Sequence, residues 1–357
     1  MSKYWSSIVN RTDPYVPGEQ INDSSLIKLN TNENTYPPPE SVIKAIQDEI
    51  GESLKLYPSP TVDELREAIA KAYDVRKENI FVGNGSDEVL AFSFMAFFEP
   101  GVTIRFPAIT YSFYTVYAKL FNIPYEEVRL NQDFTLNTHS LFHSEGGVIF
   151  PNPNAPTGIL LPIEQVEEVL LHNQEKVVII DEAYSDFAKE SAVPLIQKYP
   201  NLLVIQTTSK SRSLAGLRVG YAIGSPELIE GLNKIKNSFN SYTIDRLAMA
   251  GAIAAMNADS YYKKTTAKVI ETREWLSEEL SQLGFHVLPS QANFIFISHP
   301  NKKAKSLYAQ LKENGILVRH FSKAAIENFI RITIGTKQDM ITLLERLKII
   351  LKEKSTW

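Results

Sequence analysis

The chain has 357 residues, 44% of them hydrophobic, which is long enough for a sizeable core and two domains. Its formal net charge of −4 is too small to mark nucleic acid or an anionic membrane surface as the main partner, and the lack of cysteine excludes disulfides and thiolate chemistry. The opening Met1-Ser2-Lys3-Tyr4-Trp5 has no apolar signal core, and the most apolar segment, 89–98, is too short for a bilayer, so the expectation is a cytoplasmic protein.

Residues 1–40 are polar and rich in proline and asparagine, as in Asp13-Pro14-Tyr15-Val16-Pro17-Gly18 and Leu29-Asn30-Thr31-Asn32-Glu33-Asn34. Such composition predicts an arm with little core of its own. Residues 41–50 read as a helix, and Thr61 opens another with Glu64 at capping-box spacing. Between them Leu56-Tyr57-Pro58-Ser59-Pro60 reads as a turn. Next, Ile80-Phe81-Val82-Gly83-Asn84-Gly85-Ser86-Asp87-Glu88 reads as a short strand, a glycine turn and a helix start. The unpaired amides and positive dipole end of such a helix suit a phosphate, so Gly85, Ser86 and Asp87 are candidates to cup one. This Gly-x-Gly lacks a third glycine and is a weak dinucleotide fingerprint. The helix expected over 89–98 is apolar on all sides and therefore buried.

Phe106-Pro107-Ala108-Ile109-Thr110-Tyr111 follows another strand, and Val148-Ile149-Phe150 runs into the rigid turn Pro151-Asn152-Pro153-Asn154-Ala155-Pro156-Thr157-Gly158. Two apolar runs, 176–181 and 202–205, read as buried strands. The first ends on Asp181, with Tyr184 just beyond, and the second leads into Thr207-Thr208-Ser209-Lys210-Ser211-Arg212-Ser213 and on to Arg218. Open α/β sheets bind ligands at the carboxyl ends of their strands. A lysine there can act as an amine nucleophile toward a carbonyl. Ser209, Ser211 and Arg218, the last eight positions after the lysine (218 − 210), together suit a phosphate.

A lysine beside a phosphate site points to pyridoxal phosphate held as a Schiff base. That chemistry needs a carboxylate against the pyridine nitrogen and a donor near the ring hydroxyl, roles open to Asp181 and Tyr184. Asp181 and Lys210 are 29 residues apart (210 − 181), room for one crossover, with a helix possible over 193–198, and a return strand. Singly, a loop lysine is usually solvated and such an aspartate usually caps a turn. Considered as a pair at two strand ends, they favour the cofactor reading.

A long helical segment over 245–283 is expected to link the domains. Strands over 285–288, 293–297, 316–319 and 329–334 then alternate with helices, and 339–352 carries Leu343, Leu344, Leu347, Ile350 and Leu351 along one side of a closing helix. Arg319 and Arg331 fall within apolar strands, where a charge is costly unless paired, by an internal salt bridge or by a bound anion. His139 and His143 have helical spacing without an intervening glutamate, so no metal site is expected.

Asp-x-x-Tyr at 181–184, Ser-Lys at 209–210 and Leu-Ala-Gly-Leu-Arg-x-Gly-Tyr at 214–221 resemble the fold-type-I pyridoxal-phosphate aminotransferases, most of all the histidinol-phosphate group. The resemblance implies an α/β fold with three parts. These are an N-terminal arm (1–40) serving the substrate site, a large cofactor domain (41–245) with a mostly parallel seven-stranded sheet between helices, and a small α+β domain (246–357). It also implies a homodimer with shared active sites, Tyr57 reaching the partner's cofactor phosphate. By the same resemblance Tyr111 stacks on the cofactor ring, Tyr15 and Asn34 belong to the substrate site, and Arg331 receives the substrate's anionic group. Arg319 and Arg331 together suit a phosphate monoester, which is close to dianionic at neutral pH.

The chain departs from the family pattern at Thr35-Tyr36-Pro37, at Ser211-Arg212-Ser213 and at Ala155, where an asparagine contacting the ring hydroxyl is usual; Asn154 is the nearest replacement. The implied reaction is transamination between L-histidinol phosphate and 2-oxoglutarate, giving imidazole-acetol phosphate and L-glutamate. An aromatic or prephenate-type aminotransferase, a decarboxylase of a phosphorylated amino acid and a non-catalytic cofactor-binding sensor remain as alternatives.

Overall fold

The computed structural model describes residues 2–21, 23 and 25–352. Its strands, in chain order, are β1 (Ile27–Lys28), β2 (Ile80–Asn84), β3 (Ile104–Pro107), β4 (Tyr125–Val128), β5 (Val148–Pro151), β6 (Val178–Asp181) and β7 (Leu202–Thr207), followed by β8 (Val219–Gly224), β9 (His286–Val287), β10 (Phe294–Ser298), β11 (Ile316–Leu317), β12 (Arg319–His320) and β13 (Ile330–Thr333). Seven of them form a sheet in the order β2-β8-β7-β6-β5-β3-β4. All its pairings are parallel except the two that β8 makes with β2 and β7.

The two apolar runs of the sequence become strands because both faces of this sheet are covered. Val178 and Ile180 of β6, with Leu202 and Val204 of β7, enter one core beside Leu65, Ile69 and Ala252. Ile179, Leu203 and Ile205 point the other way, against Val89, Phe92 and Phe94 of the helix Gly85–Phe97. Alternate side chains on a strand face opposite sides, so burial on both sides demands an unbroken apolar run.

A second sheet, β12-β13-β10-β9, is antiparallel and packs with the helices Asp259–Gln282 and Lys337–Lys352. Leu343, Leu344, Leu347 and Ile350 bury the inner side of that closing helix. The arm joins this part of the molecule, since β1 pairs in parallel with β11 and Leu29 enters the same core. Among the described residues no helix is long and apolar enough to cross a membrane.

Three local expectations differ from the structure. The segment 245–283 is two helices, Arg246–Asn257 and Asp259–Gln282. At the junction, the Ala258 amide closes a tight turn onto the Ala255 carbonyl at 3.2 Å, and a new hydrogen-bond ladder starts from the Ala258 carbonyl. The Thr61 capping box does not form. Val62 takes φ 47° in the left-handed region, the helix begins at Asp63, and the Thr61 hydroxyl donates to Asp63 Oδ2 at 2.7 Å. The expected strand 316–319 is divided between β11 and β12, which lie in different sheets.

Candidate active site

Six strands of the large sheet point their carboxyl ends toward one side, and only β8 starts there. On that side lies a cavity of about 320 Å3 lined by Ser86, Asp87, Tyr111, Asp181, Tyr184, Ser209, Lys210 and Arg218, and also by Tyr15, Arg319 and Arg331. Thus the turn after β2, the loop beyond β3, the end of β6, the loop after β7 and β12 and β13 of the second sheet all contribute.

Asp181 is 5% exposed. Burial pushes its carboxyl up to about 6, against the hydrogen bonds it accepts from Tyr114 Oη (3.1 Å) and the Ala183 amide (3.2 Å) and the nearby charge of Lys210. A carboxylate so placed is short of a cationic partner. The Lys210 Nζ donates to the Thr31 carbonyl at 3.2 Å and lies 5.9 Å from the centre of the Tyr184 ring. The Tyr184 hydroxyl accepts a hydrogen bond from Asn32 Nδ2 at 2.9 Å, which leaves its own proton to donate into the cavity.

At the β2 end the helix Gly85–Phe97 begins with no side-chain cap, so its first amides stay open. Two glycines make the cup possible. A Cβ on Gly85, whose φ is +78°, would fall 2.4 Å from Arg218 Nη2, and one on Gly220 would fall 2.2 Å from the Ser86 amide nitrogen. The Asp87 carboxylate does not face an anion here. It accepts from Arg218 Nη2 and from the Tyr111 hydroxyl, each at 3.0 Å, leaving Ser86, Ser209 and the helix amides as further donors. Open amides, hydroxyls and Arg218 at one end, an amine midway and a buried carboxylate suit a phosphate-bearing pyridine aldehyde. The residues present therefore fit pyridoxal phosphate.

Two further arginines line the cavity. Arg331 is half-buried under the rings of Phe294 and Phe321 (5.3 and 5.7 Å) and donates from Nη2 to the Asn30 carbonyl at 3.0 Å, with its buried Nε lacking a partner. Arg319 lies 5.7 Å over the same Phe321 ring. Neither makes an ion pair with a carboxylate among the described residues, so the salt-bridge reading of these two arginines is not what the structure contains. Tyr15 stacks on Phe113 at 4.3 Å, and burial raises its pKa while Arg319 and Arg331 pull it down.

The family model "Aminotransferase class I and II" matches residues 24–347. The chain belongs to that aminotransferase family. It is 60% identical over 352 residues to histidinol-phosphate aminotransferase 1 of Oceanobacillus iheyensis, covering 99% of each chain. It is 54% identical over 348 residues to the histidinol-phosphate aminotransferase of Clostridium acetobutylicum, covering 98% of this chain and 99% of the relative. A crystal structure of a histidinol-phosphate aminotransferase from Sinorhizobium meliloti in complex with pyridoxal-5'-phosphate superposes with TM-score 0.88 at 24% identity, over 98% of this chain and 99% of that one. A crystal structure of a histidinol-phosphate aminotransferase from Clostridium acetobutylicum gives TM-score 0.84 at 26% identity over 91% of this chain and 99% of that one.

Five candidate residues of this aminotransferase do not line its cavity: Gly85, whose backbone shapes the cup, Ser211, whose hydroxyl donates to Asp186 Oδ2 instead of facing a phosphate, and Asn34, Asn154 and Tyr57. Asn34 donates to the Ser211 carbonyl and accepts from the Tyr36 amide, both at 3.0 Å, so it braces the lysine loop. Asn154 donates to the Ile109 carbonyl (3.1 Å) and to Thr157 Oγ1 (2.9 Å) and faces a second cavity, of about 370 Å3. Tyr57 is 78% exposed and stacks on Tyr242 at 4.7 Å, outside this subunit's cavity. Conversely, Tyr114 and Asn32 reach Asp181 and Tyr184 without having been singled out in the sequence. Tyr114 carried a signal: a tyrosine inside an aromatic core stretch needs a partner for its hydroxyl.

Proposed function

We propose that this aminotransferase interconverts L-histidinol phosphate and 2-oxoglutarate with imidazole-acetol phosphate and L-glutamate, using pyridoxal phosphate, in histidine biosynthesis. One observation carries the substrate assignment: Tyr15, Arg319 and Arg331 line the same cavity as the Arg218 cup, and both arginines act on the Tyr15 hydroxyl. Two arginines without carboxylate partners suit a dianionic phosphate monoester better than a single carboxylate, which one guanidinium fork would satisfy. The names and full-length identities of the relatives support the same reading.

When bound, pyridoxal phosphate supplies an electron sink for negative charge developing at the substrate carbon. Lys210 would hold the cofactor through its aldehyde. Its amine, restrained by one hydrogen bond to Thr31, would also be the base and acid that moves the proton at the substrate carbon. Asp181 would pair with the ring nitrogen and hold its proton. Tyr184, oriented by Asn32, would donate to the ring hydroxyl, while Tyr111, tied to Asp87, would wall the ring. Ser86, Ser209 and Arg218 would hold the cofactor phosphate, and Arg319, Arg331 and Tyr15 that of the substrate.

We also propose the three-part division at 1–40, 41–245 and 246–357, a cytoplasmic location and a homodimer. Support for the dimer is the exposure of Leu56, Tyr57, Phe239 and Tyr242, an apolar group whose Tyr57 fits a role in the partner's site. Arg246 donates to the Tyr57 carbonyl at 2.8 Å and fixes that turn. The test is a single-turnover panel of histidinol phosphate, phenylalanine and glutamate, read from the cofactor's visible absorbance. Histidinol phosphate is expected to react most efficiently; a clear preference for phenylalanine would overturn the substrate assignment.

A further inference from the structure

Arg212 follows the lysine by two positions, yet it is 6% exposed and makes few contacts for a buried guanidinium. Of its five N–H donors, one reaches the Ala255 carbonyl at a long 3.4 Å, and Nε has no hydrogen-bond partner. Two carboxylates stand near it, Asp186 and Asp259, each at 3.8 Å, and its guanidinium lies 5.1 Å over the Tyr262 ring. A buried charge with incomplete partners costs stability, and an apolar side chain of similar volume would fill the space for less. Stability alone therefore does not account for it.

Its reach does. Asp186 lies in the turn after β6, two residues beyond Tyr184; Ala255 and Asp259 flank the junction of the helices Arg246–Asn257 and Asp259–Gln282. The Ser211 hydroxyl also donates to Asp186 Oδ2, so one carboxylate grips both residues that follow the lysine. Between these anchors the loop turns sharply. The Ser213 amide donates to the Lys210 carbonyl at 3.2 Å, that of Leu214 to the Thr208 carbonyl at 3.1 Å, and Ser213 sits at φ 58°. A non-glycine residue in that region is held there by its surroundings.

We propose that Arg212, Ser211 and Asp186 form a clasp that fixes the path by which Lys210 enters the cavity relative to Tyr184. They are positioning residues: none lies within reach of the reacting atoms, and the lysine amine itself has one hydrogen bond, so its placement depends on its backbone. The inference rests on Lys210 being the amine that bonds to the cofactor.

The experiment titrates cofactor-free protein with pyridoxal phosphate and follows the visible absorbance against pH, alongside kcat and KM, for wild type, Arg212→Met, Asp186→Asn and the double variant. Each single variant is expected to lower kcat about tenfold with KM changed less than about threefold, and to shift the pH midpoint of the absorbance. The double variant is expected to be no worse than the more affected single one, because both remove the same clasp. Should Arg212→Met fail to fold, Asp186→Asn, at a half-exposed side chain, decides alone. Variants that lose thermal stability but keep wild-type kcat and pH midpoint would overturn the clasp. If wild type itself shows no visible band, it is the reading of Lys210 that fails instead.

Discussion

At the scale of single residues, the site works by giving each charged group an incomplete set of partners. The Asp181 carboxyl accepts two hydrogen bonds and is still pushed up to about 6 by burial, so a protonated ring nitrogen would complete its partners. Tyr114→Phe removes one of those bonds, 3.1 Å long, without emptying the space. It is expected to weaken cofactor affinity about fivefold, the effect of roughly 1 kcal/mol, measured by absorbance titration of the cofactor-free protein. Unchanged affinity would show that Tyr114 does not act on the cofactor through Asp181. Elsewhere in the same cavity, Arg331→Met leaves Arg319 alone. The expected outcome is a rise in KM for histidinol phosphate of about a hundredfold, the loss of a charge-assisted contact of 2–3 kcal/mol, with a much smaller change for phenylalanine.

How far single residues were legible depended on whether their chemistry is local. Lys210, Asp181 and Arg218 stand at strand ends, and their types with their spacing suffice to name a cofactor. Asn154 and Asn34 could not be assigned that way, since an amide side chain binds whatever backbone lies nearest.

Elements were legible where burial on both faces imposed an unbroken apolar run, as in β6 and β7. They were less so where backbone geometry alone decides. Neither glycine nor proline marks the break at Ala258, and nothing in the residue types announces the left-handed φ at Val62. The phosphate cup belongs to this scale, because it exists where β8 passes directly beneath the start of the helix Gly85–Phe97. Gly220→Ala would set a methyl 2.2 Å from the Ser86 nitrogen and 2.3 Å from the Gly85 carbonyl carbon, and backbone atoms cannot give way as a flexible side chain would. A stability loss of about 3 kcal/mol, with failure to retain cofactor on dialysis, is expected from denaturant unfolding and absorbance. A variant as stable and as yellow as wild type would show that the close approach is dispensable.

The whole molecule carries a pH dependence set by its buried acids. Glu182, next to Asp181 and hydrogen-bonded by Ser191, the Ala192 amide and Gln206, is pushed up to about 7 by burial. A carboxyl whose pKa is higher folded than unfolded binds its proton more tightly in the native state. The contribution of such a carboxyl to stability is therefore greatest at low pH and declines from the ordinary carboxylate pKa of about 4 up to the folded value. For Asp181 and Glu182 that decline ends at about 6 and about 7. Surface carboxylates lowered by their partners, such as Glu19 and Asp63, act in the opposite sense below this window. Urea unfolding of cofactor-free protein at pH 5 and pH 8 is expected to show Glu182→Gln gaining a few kcal/mol relative to wild type at the higher pH. An equal difference at both pH values would contradict the assignment.

The proposed sharing of active sites between two subunits would have its own consequence at this scale. Mixing and refolding Lys210→Ala with Tyr57→Ala subunits should recover about a quarter of wild-type activity, since one site in each hybrid dimer is intact. Recovery of none would place Tyr57 in its own subunit's chemistry.

The account depends most on Lys210 and Asp181 addressing one cofactor from different sides, and Lys210→Ala tests that most directly. Incubated with pyridoxal phosphate, wild type should develop a visible band that changes when histidinol phosphate is added. The variant should show neither the band nor proton transfer at the substrate carbon. A Lys210→Ala protein that turns yellow and transaminates would contradict it.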